Sequence, residues 1–356
     1  MMNKVQWKEF WLSGTDGIFQ LKATASGIDG NKLIASEIQT VPYISRSDSS
    51  NGIKSFVSRN QQKKYKRDSG NCITIGLDTQ TVFYQPHSFF TGQNIQVLRN
   101  EKLTENAALF LVESIRKQMD KFNWGGNGAT LGRLSRIKIM LPVDKSGKPD
   151  FAYMESTIEE LKNGKFKEYR EYISKELSKI QYVDIPSLDE KEWTPFHITS
   201  LFNDVKRGKR LKTEDHVLGK IPYASSTATN NGIDSFIGNT KCVRKYADCL
   251  SLANSGSVGS CFYEPFEFIA SDHVTHLKKN GLNKYQYLFL ATMLNRLSEK
   301  YNFNREINDA RIKTEVIMLP VDSKGNPDYP YMEQYIKNIF YKKYKDYLDF
   351  KEKPNA

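Results

Sequence analysis

Residues 140–155 read MLPVDKSGKPDFAYME and residues 318–333 read MLPVDSKGNPDYPYME, so one chain writes a sixteen-residue phrase twice, 178 positions apart. A period that long constrains the fold more than local propensity does, because each copy must supply a complete recurring unit. Matching outward from the phrase extends the repeat over most of the chain. Trp7 and Phe10 match Trp193 and Phe196, and Ile18-Phe19 match Leu201-Phe202. Val41-Pro42-Tyr43 match Ile221-Pro222-Tyr223, and Asn51-Gly52-Ile53-x-Ser55-Phe56-Val57 match Asn231-Gly232-Ile233-x-Ser235-Phe236-Ile237. Phe83-Tyr84-x-Pro86 then match Phe262-Tyr263-x-Pro265. The offset drifts only from 186 to 178, so few insertions separate the copies.

Within each copy the hydrophobic pattern changes period. CITIGLDTQTVFY and DCLSLANSGSVGSCFY alternate and are broken by Gly, Asn and Ser, which predicts strands joined by hairpin turns. TENAALFLVESIRKQMDKFNW and NKYQYLFLATMLNRLSEKYNF repeat apolar residues every three to four positions, which predicts helices. Asn163-Gly164 would ordinarily mark a turn. Tyr341-Lys342 replace it without a gap, so a single helix is expected over 154–181, Gly164 costing it roughly 1 kcal/mol relative to Ala. Its apolar stripe is Met154, Ile158, Leu161, Tyr169, Ile173, Leu177 and Ile180; that of a second helix, 332–351, is Met332, Ile336, Ile339, Phe340, Tyr344, Tyr347 and Leu348. The fold class expected is α+β: repeated mixed α and β units at 1–153 and 183–331, with helices at 154–182 and 332–356 packing as an antiparallel spacer.

This order of motifs, W-x-x-F, then PYIS with NGI-x-SF, then FY-x-P, then I-x-LP-x-D-x-x-G-x-PD-x-x-YME leading into a helix, resembles the DNA specificity subunits of type I and bipartite type IIB restriction-modification systems. The resemblance runs from residue 7 to 351 in two copies. It implies that each copy is a target recognition domain for one half of a split DNA sequence, with the helices as the spacer. It also implies methyltransferase subunits as partners, two per chain given the internal repeat, and a nuclease in a separate subunit or fused to the methyltransferase. The short spacer is closer to the type IIB arrangement. A helix of about 28 residues spans roughly 42 Å, or about twelve base pairs of duplex, so two half-sites with an unread gap would follow.

Charge agrees with a polyanionic partner. The net charge is +11, with 27 Lys and Arg against 19 Asp and Glu up to residue 182 and 25 against 22 beyond it. If the chain binds duplex DNA, readers should sit where the copies diverge on a shared framework. Between PY and NGI stand ISRSDSS and ASSTATN, offering Arg46, Ser47 and Ser49 in the first copy and Ser226, Thr227 and Asn230 in the second. Phosphate contacts are expected from Arg59, Lys63, Lys64, Lys66 and Arg67, from Lys241, Arg244 and Lys245, and from Lys206, Arg207, Lys209, Arg210 and Lys212. Asn123, Trp124 and Asn127, with Asn302, Asn304 and Arg305, follow the helices in loops that also differ between the copies, and Asn123, Asn127, Asn304 and Arg305 are expected to reach DNA bases; Trp124 and Phe303 occupy equivalent places and are expected in the core. Solvated turns and solvated charged faces remain the competing description of all these segments.

Catalysis has weak support. Pro149-Asp150 with Glu160-x-Lys162 satisfies a loose metal-nuclease spacing, but the second copy carries Asn338 and Phe340 at the corresponding positions. No methyltransferase Asn/Asp-Pro-Pro-aromatic motif, cofactor loop or P-loop is present, and Asn254 to Ser260 suits a hairpin better than a nucleotide site. A noncatalytic chain without cofactor or metal is expected. His273 and His276 fall three apart on a strand and should face opposite sides; His87, His197 and His216 are dispersed. Four Cys match no zinc spacing and are expected as buried reduced thiols. No run approaches eighteen apolar residues and MMNKVQWKEF has no apolar signal core, so a cytoplasmic protein away from membranes is expected. A self-contained nuclease and a protein-interaction scaffold with incidental basic charge are the alternatives.

Overall fold

The computed structural model describes residues 5–35, 38–122 and 127–352. Its contacts divide the chain into one unit ending at Tyr169 and another beginning at Arg170. The first unit holds β1 Trp7–Trp11, β2 Gln20–Ala23, β3 Val41–Ile44, β4 Ile53–Val57, β5 Cys72–Gly76, β6 Val82–Gln85, β7 Phe90–Thr91, β8 Ile95–Arg99, α1 Glu105–Met119, α2 Leu131–Leu134 and β9 Lys138–Pro142. The helix α3, Phe151–Leu177, follows and carries the chain into the second unit. There follow β10 Trp193–His197, α4 Ile198–Leu201, β11 Asp204–Arg207, β12 Leu218–Ala224, β13 Ile233–Ile237, β14 Lys245–Tyr246, β15 Cys249–Ala253, β16 Cys261–Glu264, β17 Phe268–Ala270, β18 Val274–Lys278, α5 Lys284–Asn295, α6 Asp309–Thr314, β19 Val316–Pro320 and α7 Tyr329–Glu352.

The two units repeat one topology. Sheet order β2-β8-β5-β6 in the first becomes β11-β18-β15-β16 in the second, β4-β3-β7 becomes β13-β12-β17-β14, and the ribbon β1-β9 becomes β10-β19. Even a mixed pairing is copied: β3 lies parallel to β7 through Tyr43 opposite Phe90, and β12 parallel to β17 through Tyr223 opposite Ile269. The four-stranded sheets pack their apolar faces against a helix. In the first unit Ile73, Ile75 and Leu98 meet Leu111 and Ile115 of α1; in the second Leu250, Leu252 and Leu277 meet Tyr287 and Leu290 of α5. Thr104 and Asn283 cap these helices, Thr104 accepting from Ala107 N–H and Asn283 from Tyr285 and Gln286 N–H, groups of the first turn that have no helical partner.

The repeated phrase is a strand-to-helix connector. After β9, Asp144 accepts from the backbone N–H groups of Ser146 (2.8 Å) and Lys148 (3.1 Å), and Gly147 turns the chain at φ 76°. Asp150 then receives Tyr153 N–H at 2.9 Å as α3 begins. Asp322, Gly325 and Asp328 repeat every step, with Lys324, Asn326 and Tyr331 as donors at 2.8, 2.9 and 3.0 Å. Ser146 Oγ, donating to Asp144 at 2.7 Å, and then the backbone bonds hold the Asp144 carboxyl below the usual carboxylate range, and the Asn326 and Lys324 N–H groups do the same for Asp322.

Both long helices start three residues earlier than expected, at Phe151 and Tyr329, where the Asp150 and Asp328 carboxylates accept from Tyr153 and Tyr331 N–H of the first turn. Gly164 lies within α3, as the unbroken match to the second copy required. The helix ends at Leu177, so Ile180 lies beyond it, although it is buried. Leu161 and Ile339, assigned to apolar stripes, are 59% and 40% exposed. Toward the end of α3, Ile173 enters the core of the second unit with Met332 and Ile336, and Tyr172 meets Tyr344 of α7 edge-on at 6.4 Å. Among the described residues no helix is long and apolar enough to cross a membrane.

Candidate nucleic-acid interface

The NGI motif builds the turn that carries the divergent loops. Ser50, Asn51 and Gly52 have φ of 50°, 56° and 76°, and Asn230, Asn231 and Gly232 have 50°, 53° and 76°. Three successive left-handed residues are costly for L side chains, which is why Asn and Gly stand at the second and third places. Gly is required at the third place for a further reason. A Cβ on Gly52 would meet Phe83 at 3.3 Å, and one on Gly232 would meet Phe262 at 3.2 Å, so the FY motif packs on the NGI motif in both units. Asn51 also donates to the Tyr84 carbonyl at 2.9 Å. The two motifs recur together because they make one contact.

On this turn sit residues 44–50 and 224–230. Ser47 and Ser49 bond each other's hydroxyls at 2.9 Å, with Ser49 N–H donating to Ser47 Oγ; Thr227 and Thr229 repeat both bonds. Ser47, Ser49 and Thr227 therefore brace the turn. Arg46 extends from the loop to Asp78, at the tip between β5 and β6. In the second unit Ser226 takes the place of Arg46 and meets the tip between β15 and β16, its carbonyl accepting from Ser257 N–H at 2.9 Å. Each loop is thus joined to a hairpin tip that the sequence reading did not assign to the surface. The signal was available: LDTQT and NSGSVGS differ between copies inside a repeated frame.

The basic runs separate into free and engaged cations. Arg59, Lys63, Lys64, Lys66 and Arg67 are all exposed on the segment between β4 and β5, with Lys64 4.9 Å from the Tyr65 ring. Buried Asp68 anchors the end of that segment, accepting from Thr24 Oγ1 at 2.6 Å and Ala25 N–H at 3.0 Å. In the second unit two runs distant in sequence converge: Lys206, Arg207 and Arg244 line one depression with Lys313, which the sequence reading did not single out. Arg244 Nη1 donates to the Arg207 carbonyl at 2.6 Å, Arg207 lies 3.0 Å from Asp309, and Lys245 3.0 Å from Glu267. Lys212 pairs with Glu214, whereas Lys209, Arg210 and Lys241 are exposed cations. Gly208 is needed here, since a Cβ would lie 2.2 Å from the Ala270 carbonyl oxygen.

After the helices, Asn127 donates to the Lys121 carbonyl at 2.7 Å, Asn302 Oδ1 accepts from Asn304 N–H, and Arg305 lies 5.3 Å from the Tyr301 ring. Asn123 and Trp124 fall outside the described residues. Phe303, expected in the core, is 75% exposed: the loop closes through paired Asn302 and Arg305 backbone bonds that leave its ring outside.

The nuclease spacing does not converge. Asp150 is occupied capping α3, Lys162 binds Glu105 at 3.1 Å and Asn106 at 2.6 Å, and Glu160 is exposed about three turns along the helix from Asp150. Among the described residues no group of three or more His, Cys, Asp or Glu could hold a metal ion. His273 bonds Ser255, whereas His276 is buried between the Lys206 carbonyl and Asp204 and stacks on Tyr246. Cys72, Cys249 and Cys261 are buried free thiols, burial pushing Cys72 and Cys249 up to about 12. Cys242 departs from expectation: it is exposed, at φ 59° in the loop before β14.

The family described as the type I restriction modification DNA specificity domain matches residues 16–168 and again 190–347. The chain belongs to this family. The specificity chain is also 31% identical over 317 residues to the specificity subunit S.BcgI of a type II restriction enzyme from Heyndrickxia coagulans, covering 88% of the chain and 89% of that protein. Its fold is similar to the crystal structure of the type I restriction-modification S subunit from M. genitalium, with a TM-score of 0.51 at 14% identity over 98% of the chain and 92% of that structure. The two matched segments fall on the two units, and the chain is a specificity subunit of a restriction-modification system.

Proposed function

We propose that this specificity subunit reads a bipartite DNA target, one half-site per unit, and positions methyltransferase subunits on it without performing chemistry itself. One observation carries the reading: two copies of one framework present different loops, 44–50 with 77–81 and 224–230 with 254–260, at equivalent places. Shared framework with divergent loops is what two different half-sites require. Exposed cations in both units supply the sequence-independent phosphate attraction. The relative of similar length carries the name of a type II enzyme's specificity subunit, which favours the bipartite type II arrangement for this chain. The internal repeat supports two methyltransferase partners, and the nuclease belongs to another subunit or is fused to the methyltransferase.

The test is selection of bound duplexes from a random pool, by the chain alone and after co-expression with a methyltransferase. Two short enriched blocks with a constant gap are expected. A single continuous block, or enrichment of no sequence, overturns the reading. Cleavage by the chain alone in Mg²⁺ would return the nuclease alternative.

A further inference from the structure

We propose that Asp78 is a positioning residue for specificity: it holds the Arg46 guanidinium as a fixed fork that reads a guanine in the half-site of the first unit. This rests on the bipartite reading above and adds to it a residue pair and a base. The tip that carries Asp78 is stiff. Gly76 N–H donates to the Thr81 carbonyl at 3.0 Å, and Gln80, at φ 53°, donates through Nε2 to the Leu77 and Asp78 carbonyls at 3.1 and 2.8 Å. Leu77 is tied on both sides, to the Asn94 carbonyl and to Ala129 N–H. Thr79 and Thr81 bond each other at 3.0 Å over Gly76. A Cβ on Gly76 would lie 2.5 Å from Thr79 Oγ1 and 3.8 Å from Arg46 Cγ, so the Arg46 stem runs along this packed tip.

Asp78 engages a single nitrogen, Nη1, and the Arg46 side chain remains 44% exposed while that of Asp78 is 20% exposed. The rest of the planar donor set is free for a partner with two acceptors in one plane. Guanine offers O6 and N7 in the major groove, the pairing that suits an arginine fork. A phosphate role fits less well. The pair is electrically neutral, so it adds little to the counterion release that drives phosphate binding. The second unit supports a purpose for the tie: at the aligned position Ser226 is held against Gly256 and Ser257 of the equivalent tip, where a Cβ on Gly256 would come within 2.6 Å of Ser226 Oγ. The loop-to-tip junction is shared, whereas the side chain presented there differs, as two different half-sites demand.

The experiment is pool selection and salt titration with the full-length chain, wild type and Asp78→Asn, Arg46→Lys, Asp78→Glu and Lys63→Ala/Lys64→Ala variants. Asp78→Asn and Arg46→Lys should each lose about tenfold preference for guanine at one and the same position, leaving the other half-site unchanged as the internal measure of folding. Asp78→Glu should retain part of that preference. Releasing Arg46 to act as a free cation, Asp78→Asn should steepen the salt dependence by about 0.9, whereas the double lysine variant should flatten it by about 1.8 without altering base preference. Loss spread over all positions, or preferences unchanged in Asp78→Asn, overturns the role of the pair alone. A wild-type pool with no enriched sequence overturns the bipartite reading and the pair with it.

Discussion

Glu264 is fully buried at the end of β16, where Oε1 accepts from Ser251 Oγ at 2.9 Å and Oε2 meets no donor. Around it stand the thiols of Cys249 and Cys261. Burial pushes its carboxyl up from 4.5 to about 7. The aligned residue in the first unit is Gln85, whose amide donates to the Asn51 carbonyl and to Thr74 Oγ1, both at 3.1 Å. A neutral acid keeps a proton where the amide has one. Because the folded state holds that proton more tightly than the unfolded chain, its stabilising effect is complete below about pH 4.5, falls as pH rises and is lost above about pH 7. The expected loss is on the order of 3 kcal/mol. Denaturant unfolding of wild type and Glu264→Gln between pH 5 and 8 should show the variant removing this part of the slope and being the more stable protein at pH 8; parallel curves would mean that Glu264 is charged throughout.

Elements were legible where one residue pattern decides them. The strand pairs β5-β6 and β15-β16 follow from alternation around a turn, and α3 follows from the gapless match that overruled Asn163-Gly164. A Cβ on Gly164 would meet nothing within 4 Å outside its own helix. Gly164→Ala should therefore stabilise the chain by about 1 kcal/mol through helix propensity alone, seen as a higher denaturant midpoint with unchanged base preference. A destabilised variant would show that the position packs against something. Less legible were features fixed by groups remote in sequence. Arg244 was expected on phosphate, yet its guanidinium is drawn to a carbonyl 37 positions away in sequence, at Arg207. The Arg46–Asp78 contact joins a loop to a tip across 32 positions, and no local period encodes it. Phe303 failed by analogy: equivalence to a Trp in the other copy suggested burial, whereas a two-residue closure between Asn302 and Arg305 leaves it outside.

Duplication makes the whole molecule two solutions of one folding problem, and under the bipartite reading proposed above the gap between half-sites would belong to the segment that joins them. α3 holds 27 residues, about 40 Å of helix. Under the bipartite reading, its length sets the number of unread base pairs. Inserting seven helix-forming residues between Asn163 and Gly164 adds about 10 Å, or roughly three base pairs. Seven residues are nearly two whole turns, out by only about 20°, so the faces presented on either side of the insertion keep almost the same direction. The enriched gap should widen by about three base pairs while both half-site sequences persist. Five inserted residues add about 7.5 Å, or roughly two base pairs, and rotate one end by about 140°; because three added base pairs turn one half-site about 100° around the duplex and two turn it about 70°, the two insertions leave different rotational mismatches and should differ in affinity at their enriched gaps. An unchanged gap in the seven-residue variant would remove α3 as the ruler, and equal behaviour of the two insertions would show that the connection does not transmit rotation.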